Sequence, residues 1–71
     1  MDIEIDNNIK IEFINHHIVS INDNLHSNEL MLSEEQSKEY PDQYKIDNIL
    51  SINSDLILKI KVLEEKRTRL T

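Results

Sequence analysis

His16, His17 and His26 are the side chains of this sequence best suited to hold a metal, because the chain has no cysteine and hence no thiolate ligand. Their spacing does not support a site. Two adjacent histidines in a turn point apart, and no His-x-x-x-His step sets two imidazoles on one helical face. They are expected to be turn or surface histidines, with no metal and no cofactor. The acid pairs Glu34–Glu35 and Glu64–Glu65 are sequence neighbours, and neighbours on a helix do not face one another. General acid–base catalysis needs two carboxylates held in different buried environments. Serine, histidine and aspartate all occur, but without a spacing that implies a triad. Glycine is absent altogether, which excludes a P-loop and a dinucleotide-binding fingerprint. A non-enzymatic protein is expected.

Binding is the chemistry left. Glu29, Glu34, Glu35, Glu39, Asp42 and Asp47 surround Tyr40 and Tyr44. One reading is a solvated face that keeps the protein soluble. The sharper reading is a docking surface for a larger basic protein. Glu34, Glu35, Glu39 and Asp42 would supply charge, and Tyr40 and Tyr44 would supply aromatic anchors. A row of such carboxylates could also imitate a phosphate backbone and block a nucleic-acid-binding site. The basic tail of Lys59, Lys61, Lys66, Arg67 and Arg69 complements a helix C-terminus. Direct nucleic-acid binding is not expected. Residues 1–50 hold eleven acids and three bases, net −8, while 51–71 hold three acids and five bases, net +2. The acidic bulk repels phosphates.

The elements that must carry these residues read as α+β. Ile3 and Ile5 alternate with acids, Ile9, Ile11 and Phe13 with Lys10 and Glu12, and Val19 and Ile21 with Ser20. Period two predicts half-buried strands. Three-residue loops at Asp6-Asn7-Asn8 and Asn15-His16-His17 keep one face apolar. They pair Ile5 with Ile9, Ile3 with Ile11, Met1 with Phe13, Phe13 with Val19 and Ile11 with Ile21. A three-stranded antiparallel β-meander over 1–23 follows, with asparagine serving the turns that glycine would otherwise take. Residues 24–40 read as a polar connector with a possible short helix from Ser27 or Ser33, where Ser33 and Gln36 resemble a capping box. Tyr40-Pro41 breaks the chain, and a long helix is expected over 41–69.

That helix carries a heptad. Ile46, Asn53, Ile60 and Arg67 fall at position a, and Ile49, Leu56, Leu63 and Leu70 at d. Branched residues at a with leucine at d favour a two-stranded parallel zipper, and a lone asparagine at a fixes its register. Asp55–Lys59 and Glu65–Arg69 would support the helix from its own surface. Ile46, Ile49, Asn53, Leu56, Ile60 and Leu63 are thus the expected seam of a homodimer. The competing reading is packing within one domain, because Leu50, Ile52 and Ile57 widen the apolar face.

Size fits self-association. A chain of 71 residues makes one domain with a marginal core, and without disulfides or metal a second copy is the simplest reinforcement. No stretch approaches the ~20 apolar residues of a membrane span. The acidic N-terminus does not resemble a signal peptide, so a cytoplasmic location is expected. Together these features suggest a small acidic inhibitor or adaptor that occupies a larger protein, by analogy with small proteins of viruses and mobile elements. The alternative is a dimerising transcriptional regulator or a structural assembly adaptor.

Overall fold

A computed structural model describes residues 3–71. It holds two α-helices, α1 (Ile3–Gln36, 34 residues) and α2 (Gln43–Leu70, 28 residues), packed on each other. The fold is an antiparallel helical hairpin, and the expected α+β architecture is overturned. Among the described residues there is no strand, so the meander over 1–23 is replaced by two-thirds of α1. Met1 and Asp2, part of the first expected strand, lie outside the described residues.

The physical reason for the correction lies in α1's second periodicity. Asn7, Ile11, Ile14, Ile18, Ile21, Leu25, Asn28, Leu32 and Glu35 follow one another at alternating steps of four and three, and all are buried or half-buried. This is a helical seam. The period-two pattern grouped residues that now lie on opposite sides of the helix. Phe13 is 70% exposed although its expected strand neighbour Ile11 faces inward. Val19 is exposed, whereas Ile21 is only 4% exposed. β-branched residues disfavour helices by less than about 0.7 kcal/mol each, and the packing of an amphipathic face outweighs that. No proline or glycine interrupts residues 3–36.

The expected loops and caps are also absorbed. Asp6-Asn7-Asn8 and Asn15-His16-His17 are helical, as is the connector from Asn24 to Gln36. Ser27 and Ser33 begin no helix. No described residue has a positive φ, so asparagine does not replace glycine in turns; all eight asparagines lie within the two helices.

Hydrogen bonds fix how the helices align. Asn28 Nδ2 donates to Asn53 Oδ1 at 2.9 Å. Nearer the open end, Arg67 Nη1 donates to Asn15 Oδ1 at 2.8 Å. Alternating steps of three and four away from the asparagine pair, taken in opposite senses along the two chains, set Leu25 against Leu56, Ile21 against Ile60 and Ile18 against Leu63. The same steps set Leu32 against Ile49 and Glu35 against Ile46. Ile11 and Leu70 share one groove at the open end, in agreement with this register. The molecule is a rod of 60 × 15 × 12 Å.

Candidate functional site

The residues from Glu34 to Tyr44 form the closed end of the hairpin, and its geometry follows from two acids. Asp42 is the N-cap of α2: its backbone is extended, and its Oδ1 accepts from the backbone N–H groups of Tyr44 (3.0 Å) and Lys45 (3.3 Å). These are donors that the first turn of a helix leaves without a partner. Glu35, in the last turn of α1, spans the loop. Its Oε1 accepts from the Asp42 backbone N–H at 3.0 Å, and its Oε2 lies 2.6 Å from Lys38 Nζ. The hydrogen bond from Lys38, reinforced by that from Asp42, holds the Glu35 carboxyl below the usual carboxylate range, and Lys38 is raised in return. Ser37 closes the turn, its backbone N–H reaching the Ser33 carbonyl and its Oγ donating to the Glu34 carbonyl at 2.9 Å. Pro41 sits immediately before the cap, where it disturbs no helical hydrogen bond.

The six expected partner-binding residues therefore separate by role. Glu34, Glu39, Tyr40, Asp42 and Tyr44 are exposed at the tip. Tyr40 is 85% and Tyr44 81% exposed, so neither ring contributes to the core. Glu35 is only 6% exposed and its oxygens are taken by the loop, which makes it an organiser of the tip. Asp42 divides its role: its cap is structural, yet its side chain borders solvent.

The residues of the expected dimer seam face α1 of the same chain. Ile46 is buried, and Ile49, Asn53, Leu56, Ile60 and Leu63 are half-buried on the face of α2 that meets α1. The seam is filled by the chain's own first helix, and Asn53 finds Asn28 instead of a second Asn53. The sequence reading missed Asn28 because it was assigned to the polar connector. The signal that could have found it is its place in the four–three spacing of α1.

The remaining chemistry-bearing residues do not converge. His16, His17 and His26 are exposed along α1, and among the described residues no three His, Asp or Glu side chains gather as a metal site. Asp55–Lys59 and Glu65–Arg69 close no ion pair; among the described residues that of Glu35 with Lys38 is the one formed. Among the described residues no helix is long and apolar enough to cross a membrane. A scan against protein-family models, a search of curated proteins and a search of solved structures each found no match.

Proposed function

We propose that this chain is a non-enzymatic protein-binding module whose acidic hairpin tip docks on a basic surface of a larger protein, as an inhibitor or adaptor. The observation that carries the reading is the pair of exposed tyrosines, Tyr40 in the loop and Tyr44 in the first turn of α2, on a tip ordered by Glu35 and the Asp42 cap and bordered by Glu34, Glu39 and Asp47. Exposed aromatics on an ordered backbone lose little conformational freedom on binding, so they suit an interface anchor. The surrounding carboxylates would raise the association rate with a basic partner and make it fall with salt. They also leave room for mimicry of a nucleic-acid backbone at the partner's binding site. The cysteine-free composition fits action in the cytoplasm.

The test compares proteins captured by wild type, by Tyr40→Ala/Tyr44→Ala and by Val19→Lys, all matched for helicity. A partner bound by wild type and Val19→Lys, but at least about thirtyfold more weakly by the tyrosine variant, is expected from loss of an anchor of about 2 kcal/mol. Equal binding by all three would rule out the tip. The runner-up, a dimerising regulator reading DNA through Lys59, Lys61, Lys66 and Arg69, is opposed by the net charge of −6. It calls instead for salt-dependent retardation of DNA that tip variants leave unchanged.

A further inference from the structure

Two long flanks run beside the hairpin's seam, and they differ. One carries Asn8, Asn15, Asn22 and Glu29 of α1 beside Leu50, Ile57 and Glu64 of α2. The other carries Phe13 and Met31 of α1 and Ile52 and Val62 of α2, so that its exposed apolar residues come from both helices, whereas those of the first flank, Leu50 and Ile57, come from α2 alone. Two apolar-floored grooves lie along this second flank, one near the open end and one at mid-length. The first is lined by Lys10, Phe13, Lys66 and Arg69, and the second by His17, Leu58, Lys59 and Val62.

We infer that this second flank is the interface of an antiparallel homodimer, in which two hairpins form a four-helix bundle with their tips at opposite ends. This does not rest on the proposed role of the tip. Three observations choose a second copy as the occupant. First, the exposed area is too large for a finished fold. The chain exposes 5726 Å², whereas a compact monomer of its 8.4 kDa would expose about 4,600 Å². Two separate hairpins closing to the surface of a compact protein of twice that mass would bury about 3,800 Å² in total, an upper bound for a bundle as long as the 60 Å rod, and obligate dimers begin at about 2,000 Å².

Second, the apolar residues are self-complementary. By the register of the hairpin, Met31 and Ile52 lie on one side of its mid-length and Phe13 at a similar distance on the other, with Val62 close to the middle. A two-fold axis across the middle of the rod therefore brings Phe13 onto Met31 of the partner copy and Val62 near its own counterpart.

Third, the charges match under the same axis. Toward the open end the flank carries Lys10, Lys66 and Arg69 against Asp6, with Lys59 at mid-length. Toward the tip it carries Glu34 and Asp55 with Lys45, while Lys38 beside them is paired with Glu35. The axis sets Glu34 of one copy beside Lys10 and Arg69 of the other. A parallel pairing would juxtapose the open-end cations Lys10, Lys66 and Arg69 of each copy, which is repulsive. Tyr40 and the outer tip stay clear of this interface, so the dimer presents two docking tips, one at either end.

Sedimentation equilibrium on the full chain gives the first test, with a mass of twice 8.4 kDa expected. Phe13→Glu and Val62→Glu should each weaken the dimer at least tenfold, whereas Ile57→Glu, on the other flank, should not. Because an acid at Phe13 could also loosen the hairpin, a charge exchange supplies a second arm. Glu34→Arg should weaken the dimer, and adding Arg69→Glu should restore it. Orientation is read with a spin label on Ser37→Cys, the chain having no other cysteine. Labels separated by most of the 60 Å rod support the antiparallel bundle. A monomeric wild type, a dimer broken by Ile57→Glu but not by Phe13→Glu, a charge exchange without rescue, or adjacent labels would each overturn it.

Discussion

Two polar residues inside the seam do the most to specify this hairpin. Asn28 and Asn53 hydrogen-bond to each other in a partly buried layer, where an apolar pair would pack as well or better. Their value is register, because any slip along the helices would leave both amides facing hydrocarbon. Replacing Asn53 alone by leucine strands the Asn28 amide and should destabilise the protein by about 1 kcal/mol, whereas Asn28→Leu/Asn53→Leu together should equal or exceed wild type. Urea unfolding of the two singles and the double settles this; additive losses would show that the amides are not coupled. Asn53 was legible in the sequence as a register-setting residue. Its mate was not, because a polar residue at one seam position of an unrecognised helix resembles a loop residue.

Glu35 carries the pH dependence at this scale. Its carboxyl is held below the usual range by Lys38 and by the Asp42 N–H, so the folded state favours the ionised form. The contribution is complete above the ordinary carboxylate range and is lost as pH falls through the lowered folded value. Melting temperature should therefore drop on acidification below that range, and the drop should be shallower in Glu35→Gln. An identical acid profile in the variant would remove Glu35 from the account. The sequence showed Glu35 only as one more acid of a charged stretch. Its turn inward depends on where Asp42 comes to lie across the loop.

The two helices were unequally legible. Every a and d position assigned to the second helix faces its neighbour, and Pro41 lies one residue before the cap of α2. The first helix was hidden by composition. Isoleucine at both odd-numbered and heptad positions satisfies period two over short windows, and asparagine and histidine suggest turns. Only length separates the patterns, since the four–three spacing continues unbroken from Asn7 to Glu35 while the alternation is interrupted at Ile14 and ends at Ile21. Ser20, exposed at the middle of α1, offers a direct probe. Ser20→Pro breaks an interior helical hydrogen bond and should cost about 3 kcal/mol or more, enough to abolish most of the helical circular dichroism of so small a fold. Retained ellipticity would deny that the helix is continuous there. At the other element, Asp42→Ala removes the cap of α2 and should lower stability by about 1 kcal/mol, read by thermal melting.

At the scale of the whole molecule, the hairpin's shape explains its functional economy. A Cα radius of gyration of 16.8 Å far exceeds the about 11 Å of a compact domain of this length. The core is a single line of contacts in which Ile18, Ile21 and Ile46 are the buried apolar residues among those described. A rod with such a core displays a shaped end and two long flanks. The tip was legible as an acidic, tyrosine-bearing stretch. That its charges and rings would stand at the turn of a hairpin was not, because this depends on α1 being there to pair with α2.

The central claim is that the zipper-like seam of α2 is filled by α1 of the same chain, which leaves the tip and the outer flank for other molecules. Isotope-filtered nuclear Overhauser spectroscopy on a mixture of labelled and unlabelled protein tests it most directly, through the Asn53 side-chain amide. The hairpin predicts that Asn53 contacts Asn28 within one chain, together with helical Cα shifts from Ile9 to Ile21. Contact between Asn53 residues of two different chains, or extended shifts across Ile9–Phe13 and Ile18–Ile21, would contradict it.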